Sequence, residues 1–176
     1  MKNFKWIIGL TIVVATSQST LANSINLKSA RGTVLIAAPT AAGEGKNQGI
    51  WFENPKLNAF SLNLPSLPKN KAFEGWLVDE MTGKKISTGL FRTEGEIDSD
   101  AAGIYAGPAA LDFPPVPGSD FVTLGQDIAD GHHAVVITVE NYPKPDRAVV
   151  GMPILKVTIP EGTMAGVMLL LENITP

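Results

Sequence analysis

Two adjacent histidines, His132 and His133, are the residues of this sequence best suited to bind a transition metal. Asp127 and Asp130 precede them closely and offer carboxylate ligands. His133 begins a predicted strand, and neighbouring side chains of a strand point to opposite faces. We therefore expect ordinary strand-entry histidines and no resident cofactor, with copper or zinc capture by His132, His133 and Asp130 as the alternative.

Three other patterns lack the context that catalysis or calcium binding needs. Glu74 and Glu140 are carboxylates of the type used in glycoside hydrolysis, but they fall in separate predicted strands at an unknown distance. His133 has no serine partner in a G-x-S-x-G motif. The acidic stretch 92–102 lacks the ligand spacing and closing glutamate of an EF-hand. We predict no catalytic residues and no enzyme activity.

Aromatic and acidic residues give the candidate ligand-binding set. Trp76 lies in a segment that is apolar on both faces, which predicts a core position; the alternative is that its ring lines a ligand groove. Glu140 and Tyr142 stand together at the end of the predicted strand 133–140. Trp76, Glu140 and Tyr142 are therefore the residues we expect at a binding site.

The elements that must position these residues are short strands. No segment keeps a helical period, whereas residues 60–64 and 155–159 alternate between apolar and polar side chains. Residues 133–140 place Val135, Ile137 and Val139 on one face of a strand. About 7–9 strands predict an all-β protein, an antiparallel β-sandwich with an immunoglobulin-like general architecture. The predicted strands are 32–38, 49–52, 60–64, 73–78, 86–91, 104–111, 121–124, 133–140 and 155–159, together with 166–171, for which a short helix is the alternative.

Length, charge and composition exclude several classes of protein. A chain of 176 residues is expected to form one domain. The net charge of −3 and the pI near 5.4 argue against nucleic acid as a partner. The sequence contains no cysteine, which excludes disulfides, thiolate zinc sites and iron–sulfur clusters.

The first residues have the three-part pattern of a secretory signal peptide. Lys2 and Lys5 precede the apolar run 6–15, and small residues lead to Ala22. A retained membrane anchor is the alternative, but the run is about half of the roughly 20 residues that span a bilayer. We expect a signal peptide over 1–22 and a single mature domain over 23–176. The mature protein is then secreted or periplasmic, without stable membrane insertion.

Two segments carry a family resemblance. Residues 73–79, Thr82-Gly83 and residues 87–91 resemble the "Y-E-x-W-L-V … G … LG-x-F" hairpin of the anti-sigma-K factor C-terminal domain. Residues 136–140 and 151–155 are similar to that domain's "V-T-x-E-P … P-x-G-P-V-L" segment. The resemblance covers about 32–159. It implies an extracytoplasmic β-sandwich with a sensing or binding role and no catalytic residues.

Departures from that family limit what the resemblance implies. The family's regulators carry a cytoplasmic sigma-binding domain and a transmembrane helix, in whose place this sequence has the predicted signal peptide, so we do not expect direct sigma-factor inhibition. Asn141, Tyr142 and Pro143 also stand where the family has proline directly after the glutamate. The predicted function is a non-enzymatic extracytoplasmic binding or regulatory module that contacts a protein or cell-envelope ligand, including a second copy of itself. The alternatives are a structural subunit that assembles through edge strands and a periplasmic metal-capturing protein.

Overall fold

The fold consists almost entirely of β-strands. The computed structural model describes residues 25–37, 49–54, 59–92, 127–146 and 148–176. Within these ranges helical backbone is limited to Ile25 and a short 3₁₀ turn, Leu27–Ser29, and no helix is long and apolar enough to cross a membrane. The strands there are β1 Arg31–Ala37, β2 Gly49–Trp51, β3 Glu53–Asn54, β4 Ala59–Phe60, β5 Leu62–Asn63, β6 Lys71–Asp79, β7 Lys85–Phe91, β8 His133–Asn141, β9 Met152–Thr158 and β10 Val167–Asn173.

One curled antiparallel sheet contains most of these strands. Its order is β2-β1-β10-β9-β8-β6-β7, which forms a half-barrel, and β5 pairs with β1 beside this path. Strands β3 and β4 form a separate two-stranded sheet. The prediction of an all-β antiparallel chain is confirmed. A sandwich or immunoglobulin-like architecture is not confirmed by the described strands.

The main hydrophobic core lies against one face of the sheet. Alternation along each strand brings side chains such as Phe73 and Leu77 of β6 and Ile137 of β8 into one buried cluster. Phe52, Phe73 and Phe91 pack at its centre, with ring centroids 6.1 Å apart for Phe52 and Phe91 and 5.8 Å apart for Phe73 and Phe91. Trp76 is buried but is not part of this cluster, because it projects from the other face of β6.

Most of the predicted strands that fall within the described residues correspond to strands of the structure. The predicted strands near β1, β2, β6, β7, β8 and β9 are confirmed, and β10 confirms a strand rather than a helix near the C-terminal end of the chain. Residues 60–64, predicted as one strand, fall partly in β4 and partly in β5, separated by Ser61. The predicted strands 104–111 and 121–124, the acidic stretch 93–102 and the signal peptide 1–22 lie outside the described residues.

Candidate functional site

Pairing of β6 with β8 brings two carboxylates together on the sheet face opposite the main core. Glu74 is paired with Thr138, and Ala72 is paired with Glu140. Residues two apart on a strand share a face, so Glu74 and Glu140 are diagonal neighbours. Both glutamates are 3% exposed.

Lys144 lies between these carboxylates. It belongs to the β8–β9 loop, by which we mean residues 142–146 and 148–151, and its side chain is 4% exposed. Its ammonium group forms a close ion pair with Glu74 and lies 3.2 Å from Oε2 of Glu140. The same nitrogen stands 4.7 Å from the centre of the Trp76 ring, a cation–π contact. We call Glu74, Glu140 and Lys144 the ion cluster.

A chain of hydrogen bonds fixes the carboxylate of Glu140. The Trp76 indole N–H donates to the Thr138 hydroxyl over 3.0 Å, and that hydroxyl donates to Oε1 of Glu140. The Gly151 backbone N–H donates to the same oxygen over 2.7 Å. Lys144 and Gly151 therefore fasten the β8–β9 loop to the sheet near its two ends.

Gly151 is required by this close approach. A Cβ atom at this position would stand 2.2 Å from the backbone oxygen of Val139 and 2.8 Å from the Glu140 carboxylate. Both distances are far below van der Waals contact. The loop can reach the carboxylate only where the side chain is absent.

Burial changes the acidity of Glu74. Removal from water raises the pKa of its carboxyl above the ordinary value of 4.5, and hydrogen bonds from Lys144 and Ser87 offset part of this effect. The Ser87 hydroxyl donates to Oε1 of Glu74 over 2.6 Å. The neighbouring charge of Glu140 raises the pKa of Glu74 further.

A groove of about 540 Å³ lies beside the ion cluster. Glu140 and Lys144 contribute to its lining, and its apolar part is formed by Val139, Val149, Val150 and Met152. Val139 and Met152 are buried, whereas Val149 is 59% exposed at the rim. Polar groups of Lys71, Asn141 and Asp146 complete the groove, and Lys71 donates to the Asn141 side chain over 2.7 Å. The volume is in the range of sites for small molecules or for a few side chains of a partner.

A second, smaller hollow of about 250 Å³ adjoins the groove. Trp76, Val136 and Ile174 form part of its mainly apolar lining, and Val150 borders both cavities. Of the large hydrophobic residues that are exposed, Val149 belongs to the groove and Ile174 to the hollow. The two cavities thus meet at Val150 of the β8–β9 loop.

The structure brings together two of the three residues predicted at a binding site. Trp76 and Glu140 meet through Lys144 and Thr138. Tyr142 contributes to neither cavity; the Arg92 guanidinium lies 5.1 Å from the centre of its ring.

The two histidines differ in burial, and only His133 belongs to β8. His132 is exposed, whereas His133 is buried, with Nδ1 2.8 Å from the Asp130 carboxylate. Although burial raises the pKa of Asp130, hydrogen bonds from the His133 ring and the His132 and His133 backbone lower it overall. Asp127 instead accepts a bond from the Ala129 N–H. Within the described residues, no three histidine or carboxylate side chains are grouped as metal ligands.

Sequence reasoning missed most of the cluster's partners. The sequence marks Glu74 only as a lone acid in an apolar strand. Nothing in the sequence marks Lys144, which lies between two prolines in a loop, as a buried cation. Ser87 and Thr138 are ordinary strand residues until the strand register is known.

Comparison with known proteins identifies no relative. No family model, no curated protein and no solved structure matches the chain. The resemblance to the anti-sigma-K factor C-terminal domain therefore stays a prediction.

Proposed function

We propose that this protein is a non-enzymatic extracytoplasmic binding module whose partner, a protein or a cell-envelope ligand, occupies the groove beside the ion cluster. The proposal includes the immunoglobulin-like β-sandwich and the secreted or periplasmic location predicted from the sequence. It also includes the kinship with the anti-sigma-K factor C-terminal domain. The observation that carries it is a groove lined by both apolar and polar residues, one wall of which is fastened to the sheet at two points.

The partners of the ion cluster favour binding over catalysis. Each carboxylate oxygen of Glu74 and Glu140 accepts at least one hydrogen bond or ion pair from the protein. Lys144 is held by both acids and by the Trp76 ring. Side chains that are already held by partners within the protein form a rigid wall of the groove. A rigid wall lowers the entropic cost of binding, because fewer groups have to be ordered when the partner binds.

Site-specific crosslinking tests the proposal. A photoreactive amino acid placed at Val149, on the groove rim, should capture a partner in the protein's native compartment. The same group at Leu170, which is 69% exposed on β10 and does not line the groove, is the matched control. Capture of one defined partner from position 149 alone supports the proposal. Equal capture from both positions, or none from position 149, contradicts it.

Assembly through strand edges is the second candidate function. Strands β2 and β7 stand at the two ends of the sheet order formed by the described residues. Terminal strands are the usual sites at which sheets of two molecules join. Sedimentation over a wide concentration range would distinguish this function, because a chain that remains monomeric throughout does not self-assemble.

A further inference from the structure

The ion cluster contains one more negative charge than positive. Glu74 and Glu140 share a single ammonium group, that of Lys144. Among the described residues, no second lysine or arginine lies within 4.0 Å of either carboxylate. An unbalanced charge that is almost fully buried is costly, and the cost disappears if one carboxylate takes up a proton.

We propose that uptake of one proton by the ion cluster fastens the β8–β9 loop to the sheet, so that the wall of the groove is held more firmly in mildly acidic than in neutral solution. Glu74 is the group that takes up the proton, because burial raises the pKa of its carboxyl and the charge of Glu140 adds to that effect. Glu140 remains the partner of Lys144, at 3.2 Å, and of the Gly151 N–H.

The direction of the effect follows from linkage. When the loop leaves the sheet, Glu74 regains water and loses the burial that is the largest cause of its raised pKa. The attached loop therefore binds the proton more tightly than the detached loop does. Proton uptake favours attachment as the pH falls through the raised pKa, and this contribution is lost as the pH rises above it.

Polar and charged groups from several elements face Glu74. Strand β8 provides Glu140, the β8–β9 loop provides Lys144, and β7 provides Ser87, whose hydroxyl does not titrate in this range. His133 lies at the opposite end of β8, paired with Asp79. His133 therefore does not face Glu74.

The inference rests on the proposed function for its biological consequence: pH would change how firmly the wall of the partner-binding groove is held.

The test of the inference needs no partner. Hydrogen exchange of the Gly151 amide, corrected for the intrinsic exchange rate, reports directly on loop attachment. The measurement is made on the full chain at about pH 5.5 and about pH 7.5, in native buffer. Glu74→Gln mimics the protonated acid, and Glu80→Gln is the control because Glu80 forms an exposed pair with Lys156.

We expect protection of the Gly151 amide to be at least about threefold higher at the acidic pH in the unmodified protein. Glu74→Gln should show the higher protection at both pH values, while Glu80→Gln should keep the normal pH dependence. Equal or lower protection in acid in the unmodified protein overturns the inference whether or not the variants fold. Persistence of the pH dependence in folded Glu74→Gln also overturns it. Failure of the crosslinking experiment would contradict the proposed function and leave this result unaffected.

Discussion

At the scale of single residues, Trp76 combines burial with polar contacts. Its ring faces Lys144 at 4.7 Å and its indole N–H donates to Thr138 at 3.0 Å. It also lines the small hollow next to Val150. The sequence predicts a core position for Trp76, with a ligand groove as the alternative. In the structure Trp76 is buried and also lines a cavity.

Replacing Trp76 with alanine should lower the free energy of unfolding by about 3–5 kcal/mol, because the substitution removes a buried ring and uncovers the Lys144 ammonium. Trp76→Phe is the control, since it keeps a ring over Lys144 and loses the hydrogen bond to Thr138. Urea unfolding followed by circular dichroism gives both values, and Trp76→Phe should be clearly the milder change. A loss below about 1 kcal/mol for Trp76→Ala would show that the ring contributes little to the fold.

At the scale of elements, the site depends on how the β8–β9 loop is attached to β6. Lys144 joins the loop to Glu74 across 70 positions of sequence, and the two residues meet only after β6 and β8 have paired. A second lysine–glutamate pair, Lys156 with Glu80, joins β9 to the end of β6 at the surface. The buried pair of Lys144 with Glu74 can therefore be compared with the exposed pair of Lys156 with Glu80.

Lys144→Met should therefore destabilise the protein by about 3–5 kcal/mol, because it leaves two buried carboxylates without a cation. Lys156→Met should cost less than about 1 kcal/mol, since both partners of that pair are more than one-third exposed. Chemical unfolding at neutral pH measures both. Similar losses for the two variants would mean that burial does not distinguish the pairs.

The elements also show what the sequence could predict. Short apolar runs, alternation and turn residues were sufficient for β1, β6, β7, β8 and β9, because these patterns and the glycine and proline boundaries of strands are local signals. The ion cluster depends on the register between β6 and β8, which pairs residues 54 to 70 positions apart, and no local pattern encodes register. Lys144 reaches the sheet through a loop, so its burial could not be predicted from the residues beside it.

At the scale of the whole molecule, β10 connects the two parts of the sheet. It pairs with β1 on one side and with β9 on the other, over Gly32 to Ile36 and over Leu155 to Lys156. Within the described residues, no other strand links the β1–β2 part to the β9–β8–β6–β7 part in the sheet order. Both parts of the sheet therefore depend on the packing of β10 against the core.

Substitutions at the adjacent residues Leu171 and Leu170 test how β10 packs against the core. Leu171 is 2% exposed in the main core, whereas Leu170 is largely exposed. We expect Leu171→Ala to cost about 2–5 kcal/mol and Leu170→Ala to stay within about 0.5 kcal/mol of the unmodified protein. Thermal and urea unfolding give the comparison. Equal effects would show that this part of β10 is not packed as described.

Pairing of β1 with β10 also has a consequence for the order of events during biosynthesis. Gly32 meets Leu171, and the Asn173 side chain donates to the backbone oxygens of Leu27 and Ala30 over 2.9 and 2.8 Å. As the polypeptide emerges with its N-terminus first, one edge of β1 stays without its final neighbour until residues 167–173 have been made. During that interval an apolar strand edge is available for wrong pairing.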